Sequence, residues 1–164
     1  MRFWASLLIA GVTVGCAGPR GAASQGSARI ERLPAVEVVR LDRRPTTLPE
    51  LTRDRPALVN LWATWCDACE REFDALNRLE ARVGNDGLVI GVAVGEPYDH
   101  VLRFVTRRGL AYPQLVDEDF ALSDALGSER VPTTLVVDRS GAIRYVGGEL
   151  DEPALAAFEG ALGR

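Results

Sequence analysis

The chain has 164 residues, of which 47% are hydrophobic and 26% charged, with a formal net charge of −4 at pH 7. That length supports one domain with its own core, and the balance is that of a globular protein. The acidic excess argues against nucleic acid as a partner, and the lack of a basic run argues against a basic membrane-docking patch.

Residues 1–15 carry Arg2 and then an apolar run from Phe3 to Val14. The run is short of the ~20 residues that span a bilayer and fits the apolar core of an export signal. Thr13-Val14-Gly15-Cys16 resembles a bacterial lipobox, in which the cysteine is lipidated and becomes the new N-terminus. Gly15 and Cys16 fit that pattern; Thr13 stands where a leucine is usual. The alternative is an ordinary signal peptide cut near Ala22 or Ala23, which discards Cys16. Both place the product outside the cytoplasm, on the periplasmic or cell-envelope side. The absence of an Asp after Cys16 points to the outer membrane. Residues 16–32 are Gly-, Ala- and Ser-rich and read as a lipidated cysteine on a flexible tether, with the folded domain over 33–164.

Within that domain, Pro34–Leu41 alternates apolar and charged residues and suggests a first or edge strand. Arg43–Pro56 holds three prolines and reads as loop with at most one short helical turn. Ala57–Ala63 is a central strand, and Cys66–Val83 a helix whose stripe is Phe73, Leu76, Leu79 and Val83, with Gly84 closing it. Leu88–Val94 is an apolar strand buried on both faces. Tyr98–Arg108 is a helix stopped by Gly109, Gln114–Val116 a short strand, and Asp119–Leu126 a short helix. Thr134–Val137 and Ile143–Val146 flank the turn Asp138-Arg139-Ser140-Gly141 and form a hairpin. Asp151 caps a last helix that runs to about Leu162. This order predicts an α/β fold, a mixed central sheet with helices on both faces, of thioredoxin-like architecture.

The chemistry concentrates in Trp65-Cys66-Asp67-Ala68-Cys69. Cysteines three apart at a helix start share one side and lie close enough to form and break a disulfide. The helix N-terminus offers unpaired N–H groups and partial positive charge, which favour a thiolate. Cys66, nearer that end, is expected to be the more acidic and more exposed thiol.

LVNLWATWC (58–66), the glutamate of VAVGE (92–96) and VPTTLVVDRSG (131–141) together resemble the TlpA/ResA-like branch of thioredoxin-fold thiol–disulfide oxidoreductases. The likeness covers about residues 34–164. It implies that Cys66 attacks, that Cys69 resolves the mixed disulfide, and that Pro132 is a cis-proline facing the pair. It further implies that Val131 offers its backbone to an extended substrate, that Trp65 shields one side of the site, and that Glu96 affects the cysteines' pKa. Asn60 stands where thioredoxins proper carry a buried aspartate and reads as structural, and Trp62 as core. Ala68 departs from the family's usual proline. Asp67 beside Cys66, with Glu70 and Glu72 behind it, opposes a thiolate and favours the disulfide-bonded form, hence a reductant. Asp74 replaces a helix-kinking proline, so the helix is expected to be straighter.

Rival chemistries fit less well. A closed zinc site needs four ligands, and one histidine, His100, is all that accompanies the pair. Copper(I) handling by two thiolates is chemically open, although no Met or His adjoins them. A peroxidase could use Thr64 as hydroxyl helper, but the motif spacing is wrong. The sequence therefore points to a tethered reductant of protein disulfides that needs no cofactor. Its implied partners are a protein thiol or disulfide substrate, a membrane electron donor and the membrane itself through Cys16. Cytochrome c maturation is one setting. An oxidant or isomerase of the same fold, or a copper(I) carrier, is the alternative.

Overall fold

The computed structural model describes residues 31–164. The apolar leader, the tether and Cys16 lie outside the described residues. The chain runs β1 (Glu37–Arg40), β2 (Pro45–Thr47), α1 (Leu48–Leu51), β3 (Ala57–Trp62), α2 (Asp67–Val83) and β4 (Leu88–Val94). It continues through α3 (Tyr98–Arg108), β5 (Gln114–Asp117), α4 (Ala121–Ala125), β6 (Thr133–Val137), β7 (Ile143–Gly147) and α5 (Glu152–Leu162).

The strands form one seven-stranded sheet in the order β2-β1-β5-β4-β3-β6-β7. β3, β4 and β5 run parallel, and the outer pairings are antiparallel. β3 is the hub because all six of its residues are buried. Alternation sends Leu58 and Trp62 to one face and Ala57, Val59 and Leu61 to the other. On the first face they meet Phe73 and Leu76 of α2, Val101 and Val105 of α3 and Phe158 of α5. On the second they meet Leu48 of α1 and Leu122 of α4. Helices thus cover both faces, which is the thioredoxin-like arrangement expected from the sequence.

Trp62 is wholly buried, as its reading as core requires. Its ring stands edge-on to Phe73 at 5.2 Å between centroids, and its Nε1 donates to Gln114 Oε1 at 3.0 Å. Gly91 makes that contact possible. A Cβ there would fall 2.2 Å from Gln114 Oε1, so any side chain would expel the amide that satisfies the indole.

Of the expectation of loop with at most one short helical turn over Arg43–Pro56, the turn holds and the rest needs correcting for an edge strand. Pro45–Thr47 pairs with β1 as an edge strand, where a missing N–H costs no ladder bond. The next residues form a capped helical turn. Glu50 N donates to Thr47 Oγ1 at 3.3 Å, and Thr47 N donates back to Glu50 Oε2 at 3.0 Å. The Pro34–Leu41 strand contracts to Glu37–Arg40. Upstream of Leu33, Arg32 already bridges Ala142, and Ile143 N donates to Glu31 O at 2.8 Å. Asp151 caps α5 as foreseen, accepting from Ala154 N at 2.8 Å. No helix among the described residues is long and apolar enough to cross a membrane.

The β6–β7 hairpin is locked by Asp138. Its carboxylate accepts from Ser140 N at 2.8 Å, Ser140 Oγ at 2.6 Å and Arg144 Nε at 2.6 Å. Desolvation would raise its pKa, but the bonds from Ser140 and Arg144, with the backbone N–H groups, outweigh it and bring the value to about 2. A carboxyl depressed in the folded state adds stability that is complete above its unfolded pKa and is lost as pH falls through the folded value. Asp138→Ala should therefore destabilise the protein by about 1–2 kcal/mol at pH 7. Urea unfolding should show the gap to the natural chain narrowing from pH 4 towards pH 2.

Candidate redox site

β3 delivers the chain to the sheet's upper edge, and Ala63-Thr64-Trp65 turns it into α2. The turn is closed by Cys66 N donating to Ala63 O at 3.1 Å. Cys66 is then the N-cap of α2 rather than its first residue. Its Sγ accepts from Cys69 N at 3.1 Å, so sulfur fills the place that an Asp or Ser oxygen usually takes. The two cysteines are joined as a disulfide with Cα atoms 5.3 Å apart. Cys66 is 8% exposed and Cys69 0%. The expected order of access holds, although Cys66 shows only an edge.

Across the sheet, β6 pairs antiparallel with β3 and sets Thr133 opposite Leu61. One step further along that ladder comes the Val131–Pro132 bond, which is cis. Pro132 is buried and Val131 half-buried against the core that contains Cys66 and Cys69. Trp65, 71% exposed, shares a cavity of about 230 Å³ with Val131. The structure thus brings Trp65, Cys66, Cys69, Val131 and Pro132 to one end of the sheet.

Glu96 reaches the site through Thr64, two residues before Cys66. Its Oε2 accepts from Thr64 N at 2.7 Å and its Oε1 from Thr64 Oγ1 at 2.5 Å. His100 joins them with Nε2 3.0 Å from Thr64 Oγ1 and 3.7 Å from Glu96 Oε1. Asp99 instead pairs with Arg43.

The acidic residues around the pair differ in kind. Asp67 is exposed, where water screens it. Glu70 and Asp74 both face Arg108, at 3.0 and 3.8 Å. With Asp74 in place of a proline, α2 runs unbroken for 17 residues. Glu72 is the residue whose importance the sequence reading missed. It lies one turn after Cys69 on the buried side of α2, only 7% exposed. Its Oε2 accepts from Asn60 Nδ2 at 3.2 Å, and its Oε1 from Leu150 N. Burial pushes its pKa up, against the lowering pull of those two hydrogen bonds. Asn60, wholly buried, also donates to Thr134 Oγ1 at 3.4 Å. The clue was available, because Glu72 falls inside the apolar stripe Cys69-Phe73-Leu76-Leu79, where a carboxylate has no structural reason to be.

Chemically, this is a thioredoxin-like domain with a dithiol–disulfide pair at a helix tip, one sulfur at the surface and the other beneath it. Among the described residues no group of three or more His, Cys, Asp or Glu is placed to hold a metal. Sequence comparison agrees with that class. Residues 31–146 match the AhpC/TSA family, and the chain belongs to it. Over 95 residues it is 34% identical to the thiol-disulfide oxidoreductase ResA of Geobacillus thermodenitrificans, covering 57% of this chain and 55% of the relative. Over 97 residues it is 35% identical to the thiol:disulfide interchange protein DsbE of Escherichia coli K12, covering 58% and 50%. The chain thus spans about half the length of these curated relatives. A crystal structure of a DsbE-type thiol:disulfide interchange protein from Chlorobium tepidum superposes with a TM-score of 0.74. At 19% identity, it covers 81% of this chain and 96% of its own, a likeness of fold.

Because burial raises the Glu72 pKa, its ionised form costs folding stability, and that cost grows as pH rises through the folded value. Glu72→Gln should accordingly be at least as stable as the natural chain at pH 7. In denaturant melts, any advantage should vanish below pH ~4, where both forms are neutral. A strong loss of stability at pH 7 would show instead that the charge holds Asn60 and Leu150 in place.

Proposed function

We propose that the chain is a thiol–disulfide oxidoreductase that reduces protein disulfides outside the cytoplasm, tethered to a membrane through Cys16. The observation that carries the reading is the Cys66–Cys69 disulfide across the first turn of α2, with Cys66 at the rim and Cys69 fully covered. Only the rim sulfur can be reached by a second protein, so the order of events is set by access.

In the reduced form, the Cys66 thiolate attacks a substrate disulfide. One substrate sulfur leaves as a thiolate, and Cys66 is held in a mixed disulfide beside Val131-Pro132. There the Val131 backbone is placed to pair with an extended segment like an added strand. The Cys69 thiol then loses its proton and displaces the substrate. Two electrons have passed to the substrate and Cys66–Cys69 is closed; the two released substrate sulfurs take up one proton that Cys69 gave up and one from solvent. When ionised, Glu72 is the group suited to take the Cys69 proton, since both sit on the buried face of α2 one turn apart and burial raises its affinity for a proton. Asn60 holds that carboxyl in place. Glu96 acts on the other side by fixing the Thr64 loop and opposing charge on Cys66.

A membrane electron donor would restore the dithiol. Disulfides in apocytochrome c, whose thiols must be free for haem attachment, are one substrate class for such a reductant. Ala68 in place of a turn-restraining proline is the feature that favours the oxidant or isomerase alternative.

The reduction potential of the pair decides between them. A value below about −220 mV is expected for a reductant, whereas one near −120 mV would make the protein an oxidant. A Cys69→Ser variant should accumulate the mixed disulfide with substrate, visible on a non-reducing gel. A reduced protein that reduces no disulfide yet holds copper(I) tightly would overturn the redox reading. In thiol titrations, Glu96→Gln should lower the Cys66 pKa; an unchanged value would remove Glu96 from the mechanism.

A further inference from the structure

The cavity beside Trp65 contains an aromatic residue that the redox chemistry does not use. Phe120 is 51% exposed, and its backbone is left-handed, φ 65°. Such a conformation is strained for a bulky side chain, and glycine would adopt it freely. Strain retained at an exposed position calls for a reason. The tip of the ring lies against Gly95, where a Cβ would fall 2.1 Å from Phe120 Cζ, so this side of the cavity is shaped by both residues. Trp65 stands on the same cavity, with Leu61, Val94 and Val131 between them. Trp65 and Phe120 are two of the three large apolar residues exposed among the described residues, and they share this one hollow.

The rim is charged. Asp124 and Glu129 also line the cavity, against the one cation Arg130, and Glu118 and Asp119 directly precede Phe120 in the chain. The surplus is negative. An occupant must therefore be apolar at the centre and basic at the edge.

We propose that Trp65 and Phe120 form the two walls of a specificity pocket. It takes a large apolar side chain next to the substrate cysteine, with a lysine or arginine beside it meeting the acidic rim. The occupant is an extended polypeptide segment, and Phe120 is the residue that selects it. The pocket rests on the oxidoreductase reading, because Val131 and Trp65 belong to both. A structural role for Phe120 alone, as a cover for Gly95, would give stability without selectivity.

The test uses the full chain and short peptide disulfides in which the cysteine is followed by leucine and lysine, by serine and lysine, or by leucine and glutamate. The reduced protein should reduce the leucine–lysine peptide about tenfold faster than the serine–lysine one, equivalent to ~1.4 kcal/mol from partial burial of one side chain. Phe120→Gly, which suits the left-handed backbone, should bring that ratio within about twofold, and Phe120→Tyr should retain it. At low salt the leucine–glutamate peptide should react several-fold more slowly than leucine–lysine, and added salt should close the gap. The same peptides with serine in place of cysteine, bound to the oxidised protein in calorimetry, should rank alike. Equal rates and equal affinities for leucine and serine peptides, or an unchanged ratio in Phe120→Gly, would overturn the proposal. If the reduced protein reduces none of the disulfides, the oxidoreductase reading fails, and the calorimetric ranking still decides whether the pocket exists.

Discussion

The site hangs on the N-terminal cap of one helix. Like every α-helix, α2 begins with backbone N–H groups that have no partner in the helix itself. Here Cys66 Sγ takes the bond from Cys69 N, and Cys66 O takes the bond from Glu70 N at 3.1 Å. Capping and chemistry thereby use the same atom. The N–H that stabilises the helix end is also the group that would solvate a thiolate. Keeping the cap in one place requires that neither the strand before it nor the helix behind it can slide. β3 cannot, because its six residues are buried and registered against β4 on one side and β6 on the other. Nor can α2, because Phe73, Leu76, Leu79 and Val83 lock its stripe into the core.

Against that rigid background, Glu72 is an anomaly with a physical meaning. Carboxylates are rarely buried unless paired with a cation, and Glu72 has two hydrogen-bond donors but no buried cation beside it. Its raised pKa is the signature of that situation. Groups whose protonation is perturbed by burial concentrate at functional sites because a proton must move there. Asn60 explains why the carboxyl can be tolerated. A neutral amide at that place donates a hydrogen bond without adding a second negative charge, which an aspartate would do. The pair Asn60–Glu72 thus places one buried acid beneath the disulfide, on the helix that carries it.

Sequence periodicity revealed most of the fold, since β3, α2, β4, α3 and α5 each carry long, regular apolar patterns. It failed where local chemistry overrode composition. Three prolines make residues 43–56 read as loop with one short helical turn; that turn is present, capped by the box in Thr47-Leu48-Pro49-Glu50, but Pro45 sits on an edge strand that composition hides. Cys66 and Cys69 stood out at once, and Pro132 and Glu96 followed from the resemblance. Glu72 was seen only as one more negative charge, because its burial depends on the approach of Asn60 and Leu150 from other parts of the chain. Phe120 was invisible for a different reason. Nothing in its composition signals a left-handed backbone, which is set by the turn from β5 into α4, where Asp117 binds the N–H groups of Leu122 and Ser123 at 3.0 and 2.8 Å.

The direction of electron flow can be argued from the same charges. A dithiol is a weak oxidant when its thiolate is poorly stabilised, because reducing the disulfide then yields less stable products. The tip of α2 stabilises a Cys66 thiolate through its N–H groups. Counting acidic residues overstates the opposition, since Asp67 is open to solvent and Glu70 is engaged by Arg108. The carboxyls least open to water are those of Glu96 and Glu72, each 7% exposed, one tied to the loop before Cys66 and the other one turn behind Cys69. A buried carboxyl on each side makes a further negative charge between them costly. In the reductant we propose, these groups would disfavour the thiolate and favour the disulfide. Ala68 would pull the other way by leaving the turn less restrained.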